Sequence, residues 1–210
     1  MVFITGVRTD IDKTFHDLES PKFPLYVRTY LKSFGKSSKT CSYELRHDGS
    51  DALYVSCDVT DVLISKTSRK PVKYPDWWID KYSPHVENRQ TVLPEMHIPG
   101  GDPFMTKVTV SHCDTDTHRH TNWASYIKFC SDNIHAREMQ YDKTYIPVTD
   151  GIRSFDIKYT AESALADELS VTSVYSRSQE DTYCLTVNKG GVLCAFSNFC
   201  FYNENESDDE

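Results

Sequence analysis

The sequence of 210 residues contains no apolar run approaching the length of a membrane span. Its first residues, Met-Val-Phe-Ile-Thr-Gly-Val-Arg, have no basic region followed by a long apolar stretch. The expectation is a protein without a membrane span, secretory signal or transit peptide, working in the cytoplasm. No CxxC pair occurs among the seven cysteines, Cys41, Cys57, Cys113, Cys130, Cys184, Cys194 and Cys200, and their number is odd. Neither a disulfide framework nor a zinc knuckle fits that pattern. Most of these cysteines lie in alternating strand patterns, where the thiol acts as a small buried hydrophobe. A reducing compartment is expected, and the Asn205-Glu206-Ser207 sequon is read as chance. Also missing is the basic stripe that a phosphate backbone requires, which excludes nucleic acid as a partner.

The net charge of −8 owes five of its units to Glu204, Glu206, Asp208, Asp209 and Glu210, so an acidic tail follows a nearly balanced body. Hydrophobic residues at 39% and aromatics at 12% are enough for a real core, which rules out a disordered chain.

Strand signals dominate what is present. Phe155, Ile157 and Tyr159 alternate with Ser154, Asp156 and Lys158, giving one apolar face. Leu169 to Tyr175 and Tyr183 to Val187 continue the pattern. A Gly190-Gly191 turn then leads into Val192 to Tyr202, apolar almost throughout. In the first third, strands are expected over Phe3–Thr14, Leu25–Lys32, Thr40–Arg46 and, after an Asp48-Gly49 turn, Leu53–Ile64. Residues 1–75 and 150–203 thus share one order of strands and turns, a weak internal repeat. Between them, Tyr74 to Phe104 holds five prolines and Gly100-Gly101, the composition of an extended linker.

One helix is expected, from the Asn122 region to about Met139, because Trp123, Tyr126, Ile127, Cys130 and Ile134 recur at helical spacing. Thr121 or Asn122 is its candidate N-cap. A strand, Thr106 to His112, precedes it, and Pro147 stands beyond it. The first copy has strands but no helix, so its beginning is expected to be incomplete. Its open sheet face should be covered by the linker, the second copy or another subunit, which makes a homo-oligomer the expected state.

The loop before the helix carries the chemistry. Asp114-Thr-Asp116-Thr-His118-Arg119-His120-Thr-Asn122-Trp123-Ala-Ser-Tyr126 resembles the D-x-D-x-x-x-H-x-N-N-x-x-Y signature of hot-dog thioesterases. The likeness is nearest to the plant acyl-acyl-carrier-protein thioesterases, whose two tandem hot-dog modules carry a later strand ending Y-x-x-E-C; here that stretch is Tyr159-Thr-Ala-Glu162-Ser163. The resemblance implies an α+β hot-dog fold, an antiparallel sheet wrapped around a long helix, with one complete module preceded by a partial one. The expected parts are a strands-only partial module over 1–80, a linker over 81–104, the complete module over 105–203 and the tail over 204–210. It also implies hydrolysis of a fatty acyl thioester of acyl-carrier protein or coenzyme A, with no cofactor. This sequence departs from the pattern at four positions. His118 stands where the family has an active-site Asn, Ser163 where it has Cys, Trp123 at the second Asn, and Arg119 where many bacterial relatives have Gly.

Thioester hydrolysis needs a base or nucleophile and a site for the developing oxyanion. Asp116 or Glu162 could activate water or attack directly. His120 and His118 could orient that water or protonate the leaving thiolate. Amides at the start of the helix, near Asn122, would favour an oxyanion. Trp123, Tyr126 and Phe129 could line an acyl channel, and Ser163 takes the place of the family's Cys beside the substrate. Each has a structural counterpart: Asp114 and Asn122 as caps, Trp123 and Tyr126 as core, Glu162 as an ordinary strand-end acid. A metal held by His112, Cys113, Asp114, Asp116, His118 and His120 is disfavoured, because all six crowd one loop and no second ligand group follows. The four departures leave a non-catalytic acyl-thioester-binding or scaffold protein as the alternative. A dehydratase or isomerase on the same fold is the third reading.

Overall fold

Period-two alternation builds the first part of the chain from four strands, β1 (Val2–Ile11), β2 (Leu25–Phe34), β3 (Ser38–His47) and β4 (Leu53–Leu63). The computed structural model describes residues 1–86, 97–141, 151–176 and 182–202, and the chain divides into two units, Met1–Leu93 and Pro94–Glu210. In the first unit the strands pair antiparallel in the order β2-β3-β4-β1. Cys41 opposite Val59 and Leu45 opposite Val55 fall on one face, Ser42 opposite Asp58 and Glu44 opposite Ser56 on the other. The two carboxylates buried among the described residues of this unit, Asp58 and Asp61, are both paired, as burial requires. Lys32 and the Ser42 hydroxyl donate to Asp58, and Lys39 and the Tyr74 hydroxyl donate to Asp61.

Two details of this unit differ from the sequence reading. The first strand stops at Ile11, not Thr14, because the Asp12 side chain accepts from the Thr14 amide at 2.9 Å and opens a 3-10 turn, Lys13–Phe15. The unit also contains a helix, α1 (Asp76–Tyr82), where only strands and linker were expected. Tyr74, Trp78 and Tyr82 are spaced by four. Trp78 stacks on Tyr74 at 4.5 Å, meets Phe34 edge-on at 5.8 Å and lies 4.9 Å from Tyr82. The surrounding prolines masked that short helical period.

The second unit contains β5 (Phe104–Thr109), α2 (Trp123–Tyr141), β6 (Ile152–Tyr159), β7 (Glu168–Ser176), β8 (Thr182–Lys189) and β9 (Val192–Phe201). Its strands run in the order β6-β9-β8-β7-β5, each neighbour antiparallel. Reading β6 to β9 in place of β1 to β4 reproduces the strand order of the first unit, the arrangement behind the repeat in the sequence. Gly190 and Gly191, both at positive φ, make the β8–β9 turn where an L side chain would be strained. The expected strand over Thr106–His112 instead ends at Thr109. Ser111 caps a 3-10 turn, His112–Asp114, and donates its amide and its hydroxyl to the Asp114 carboxylate.

The long helix packs on β7, β5 and β8, the hot-dog arrangement of α+β class. Its buried line is Tyr126, Phe129, Cys130, Asn133, Ile134 and Arg137. The stripe read from the sequence is thus rotated slightly: Trp123 and Ile127 are at its margin, and two polar residues lie within it. Both donate to backbone carbonyls, while the buried Asn133 Oδ1 has no partner among the described residues. Asn133 Nδ2 donates to Thr106 Oγ1 and to the Val171 carbonyl, each at 2.9 Å, and Arg137 Nη1 donates to the carbonyls of Asp102 and Ser173. Around them Phe129, Ile134, Ile157, Leu169, Leu185, Val187 and Phe199 are fully buried, each side chain worth about 1.5–3 kcal/mol.

Among the described residues no helix is long and apolar enough to cross a membrane, and the seven cysteines are all free. Pro147, the sequon and the acidic tail lie outside the described residues.

Because Asn133 binds two strands at once, Asn133→Ala should cost about 2–3 kcal/mol in urea unfolding. His135→Ala, on the exposed side of the same helix, should stay within about 0.5 kcal/mol.

Candidate active site

Asp114 is the anchor of the loop that enters α2. It is 3% exposed, and its carboxylate accepts from the Ser111 amide at 3.0 Å, from the Ser111 hydroxyl and from Lys128 Nζ. Its carbonyl accepts from the Asn122 amide at 2.7 Å and the Ser125 hydroxyl at 3.1 Å. Burial pushes the carboxyl up, but the hydrogen bonds and charge of Lys128 and Ser111 outweigh that and hold it below the usual carboxylate range.

Asp116 shapes the exposed part of the loop. Its Oδ1 accepts from the amides of His118 at 2.8 Å and His120 at 3.1 Å, and its own amide donates to the His120 carbonyl at 2.8 Å. That tight turn forces Arg119 to φ +64, a left-handed conformation that glycine adopts without cost. The side chain of His118 is exposed and makes no hydrogen bond among the described residues.

Beyond the turn, the chain pairs briefly with the segment after β6. His120 bridges Ala164, and the Thr121 amide donates to the Ser163 carbonyl at 2.8 Å. Antiparallel pairing alternates side chains between faces. Thr121 and Ser163 therefore point inward, where they are buried, whereas His120 and Glu162 share the other face as diagonal neighbours. His120 Nε2 and Glu162 Oε2 are 3.6 Å apart, with 28% and 30% of their side chains exposed. This is ion-pair range but longer than a hydrogen bond, a gap that a small shift or a water would close.

Inside, Ser163 Oγ lies 2.6 Å from Thr121 Oγ1 and 2.8 Å from the Tyr126 hydroxyl. The Tyr159 hydroxyl donates to the Trp123 carbonyl at 2.9 Å, and its ring meets Tyr126 edge-on. Tyr126 and Phe129 are core residues of the helix, and Trp123 is half-buried. At the helix start, Asn122 Oδ1 accepts from the Ala124 amide at 3.0 Å, the bond of an N-cap. The amides of Asn122, Ala124 and Ser125 are thus all engaged, and Trp123 has the one first-turn amide with no partner among the described residues.

Of the residues singled out in the sequence, the structure brings His120 and Glu162 together. Asp116 touches that pair through the His120 backbone, His118 is turned to solvent, and Ser163 is turned into the core. The hydroxyl contacts of Thr121 and the lock of Asp114 on Lys128 carried no motif that would have revealed them. Among the described residues no group of three or more His, Cys, Asp or Glu side chains is placed to hold a metal ion.

Relief of the left-handed backbone should make Arg119→Gly more stable by about 0.5–1 kcal/mol, once glycine's extra unfolded-state entropy is offset; thermal unfolding measures it. A pH series should show Asp114 in the acid limb. Its folded value is depressed, so its contribution is present above the ordinary carboxylate range and lost as pH falls below about 4 toward the folded value. Asp114→Asn should be less stable at neutral pH and show a flatter acid limb.

No protein-family model matches the sequence, and no curated protein sequence matches it. Solved structures do. The chain is similar to the 12:0-acyl-carrier-protein thioesterase of Umbellularia californica, with a TM-score of 0.71 and 14% identity over 96% of this chain and 75% of that one. It is similar to an acyl-acyl-carrier-protein thioesterase of Bacteroides thetaiotaomicron, with a TM-score of 0.70 and 17% identity over 96% and 76%. A MaoC-like dehydratase of Phytophthora capsici is also similar, at 0.57 and 11% identity over 97% and 72%. At these identities the likeness speaks for the fold: the chain shares the hot-dog fold of the acyl-acyl-carrier-protein thioesterases.

Proposed function

We propose that this protein hydrolyses fatty acyl thioesters at the His120–Glu162 pair, releasing a free acid and a thiol. The observation that carries the reading is the convergence of an imidazole and a carboxylate, 3.6 Å apart, beside the entrance of the long helix of a hot-dog fold. Glu162 takes a proton from a water that His120 orients, and the water oxygen bonds to the thioester carbonyl carbon. The resulting oxyanion takes the Trp123 amide, the first-turn donor that nothing else occupies among the described residues. Collapse breaks the carbon–sulfur bond, and the proton held by the pair passes to the departing thiolate. A thiol has a pKa near 8.5, so the leaving group needs little help.

In this reading Asp116 acts on the loop, because its Oδ1 is committed to two amides. His118 and Arg119, both exposed beside the pair, face the carrier. That carrier is acyl-carrier protein or coenzyme A, no cofactor takes part, and the protein acts as a homo-oligomer. The free cysteines support a reducing, cytoplasmic setting. The likeness to a dehydratase favours one second reading, addition of water to an enoyl thioester, since the same pair could activate water for either carbon.

Free-thiol release from a panel of acyl thioesters tests the proposal. Glu162→Gln and His120→Ala should each lower kcat/KM on the order of 100-fold or more. Asp116→Ala should lower it as well, through the loop. Equal rates for wild type and all three variants would remove the enzyme reading and leave a binding protein. Absorbance loss from an enoyl thioester without thiol release would favour the hydration reading.

A further inference from the structure

The sequence offers Ser163 as a residue beside the substrate, but its surroundings are those of a fastener. The residue is 1% exposed, and its hydroxyl sits between those of Thr121 and Tyr126 at 2.6 and 2.8 Å. Thr121 and Tyr126 are themselves 9% and 3% exposed, so all three hydroxyls are withdrawn from water. A serine hydroxyl has one proton and two lone pairs, and two partners leave it little capacity for a third. Among the described residues no imidazole or carboxylate is bonded to it, so it has no adjacent base there of the kind a serine nucleophile requires. Burial pushes the Tyr126 phenol up, which keeps its proton available for donation.

The three residues come from three separate places: the end of the entrance loop, the first turns of α2 and the segment after β6. The backbone bond from Thr121 to Ser163 lies in the same cluster. On the two paired segments the neighbouring residues, His120 and Glu162, emerge on the opposite face. Whatever fixes the inward pair fixes the spacing of the outward pair, because one short ladder carries both. A ladder of two or three residues has little stability of its own. Tying it to the helix through hydroxyls that are expensive to leave unpaired would make it rigid.

We propose that Thr121, Ser163 and Tyr126 form a buried hydroxyl clamp whose task is to hold Glu162 against His120, with Ser163 and Tyr126 as positioning residues that never touch substrate. The activity half of this inference rests on the thioesterase reading; the positional half does not.

Both halves can be measured on the full chain. Ser163→Ala, Tyr126→Phe, the double variant and Ser163→Cys would be compared with wild type for kcat and KM, and crystal structures would give the His120–Glu162 separation. Both single variants are expected to lose the close His120–Glu162 approach. Each should reduce kcat by roughly 10- to 100-fold, as ångström-scale misplacement does, with KM within about twofold. The double variant should be no slower than the slower single one, since both cut the same clamp. Ser163→Cys, which keeps size and a weak donor, should recover most of kcat.

An unchanged His120–Glu162 separation in Ser163→Ala overturns the inference whatever the rates. So does a Ser163→Ala variant that is dead beside a normal Tyr126→Phe variant, the pattern of a nucleophile. Should Ser163→Ala fail to fold, Tyr126→Phe decides by the same two measurements. A wild-type protein that hydrolyses no thioester sinks the thioesterase reading, yet the crystallographic separations still decide whether the clamp exists.

Discussion

The candidate site depends on one short antiparallel contact, between residues 120–121 and 163–164. It is too brief to count as a strand pair, yet it obeys the same rule of alternation. That rule alone explains why two hydroxyl residues disappear into the core while an imidazole and a carboxylate surface together on the other side. A slip of one residue would exchange the two sets: His120 and Glu162 would be buried at a cost, and the hydroxyls would face water.

Everything around the contact keeps its register. Asp114 sits under the loop, gripping Ser111 and Lys128 with its carboxylate and the start of the helix with its carbonyl. Asp116 closes the turn above it, at the expense of a left-handed Arg119. Asn122 caps the helix, and Asn133 and Arg137 fasten that helix to the carbonyls of the sheet and of Asp102. The two aspartates of the motif thus serve the backbone. In the proposed reaction chemistry falls to the histidine that closes the turn and to a glutamate 42 residues later, a division of labour the motif does not display.

Much of this was legible in the sequence, and the limits were physical. The positions of most strands, the glycine turn and the helix followed from periodicity, because half-buried strands and a helix on a sheet impose their periods on composition. The helix face was read a little off because Asn133 and Arg137 are polar, and a hydropathy pattern cannot see a buried side chain that donates to backbone carbonyls. Helix α1 escaped because its aromatic spacing is only two turns long and lies among prolines. At the site, the motif located the loop, but it could not separate His118 from His120. The difference between them is a direction, out to solvent or across to Glu162, set by a turn geometry that is visible only when the left-handed Arg119 is seen. Likewise Ser163 looked like a replacement for a reactive thiol until its burial showed which way it faced.

In the proposed reaction His120, Glu162 and the start of α2 surround one reacting carbon. A crystal structure with a thioester analogue in which a methylene replaces sulfur would test it most directly. The carbonyl oxygen is expected within hydrogen-bond range of the Trp123 amide, with the carbonyl carbon facing a water held between His120 and Glu162. An analogue bound with its carbonyl remote from that pair, or reaching the chain only through the first unit, would contradict it.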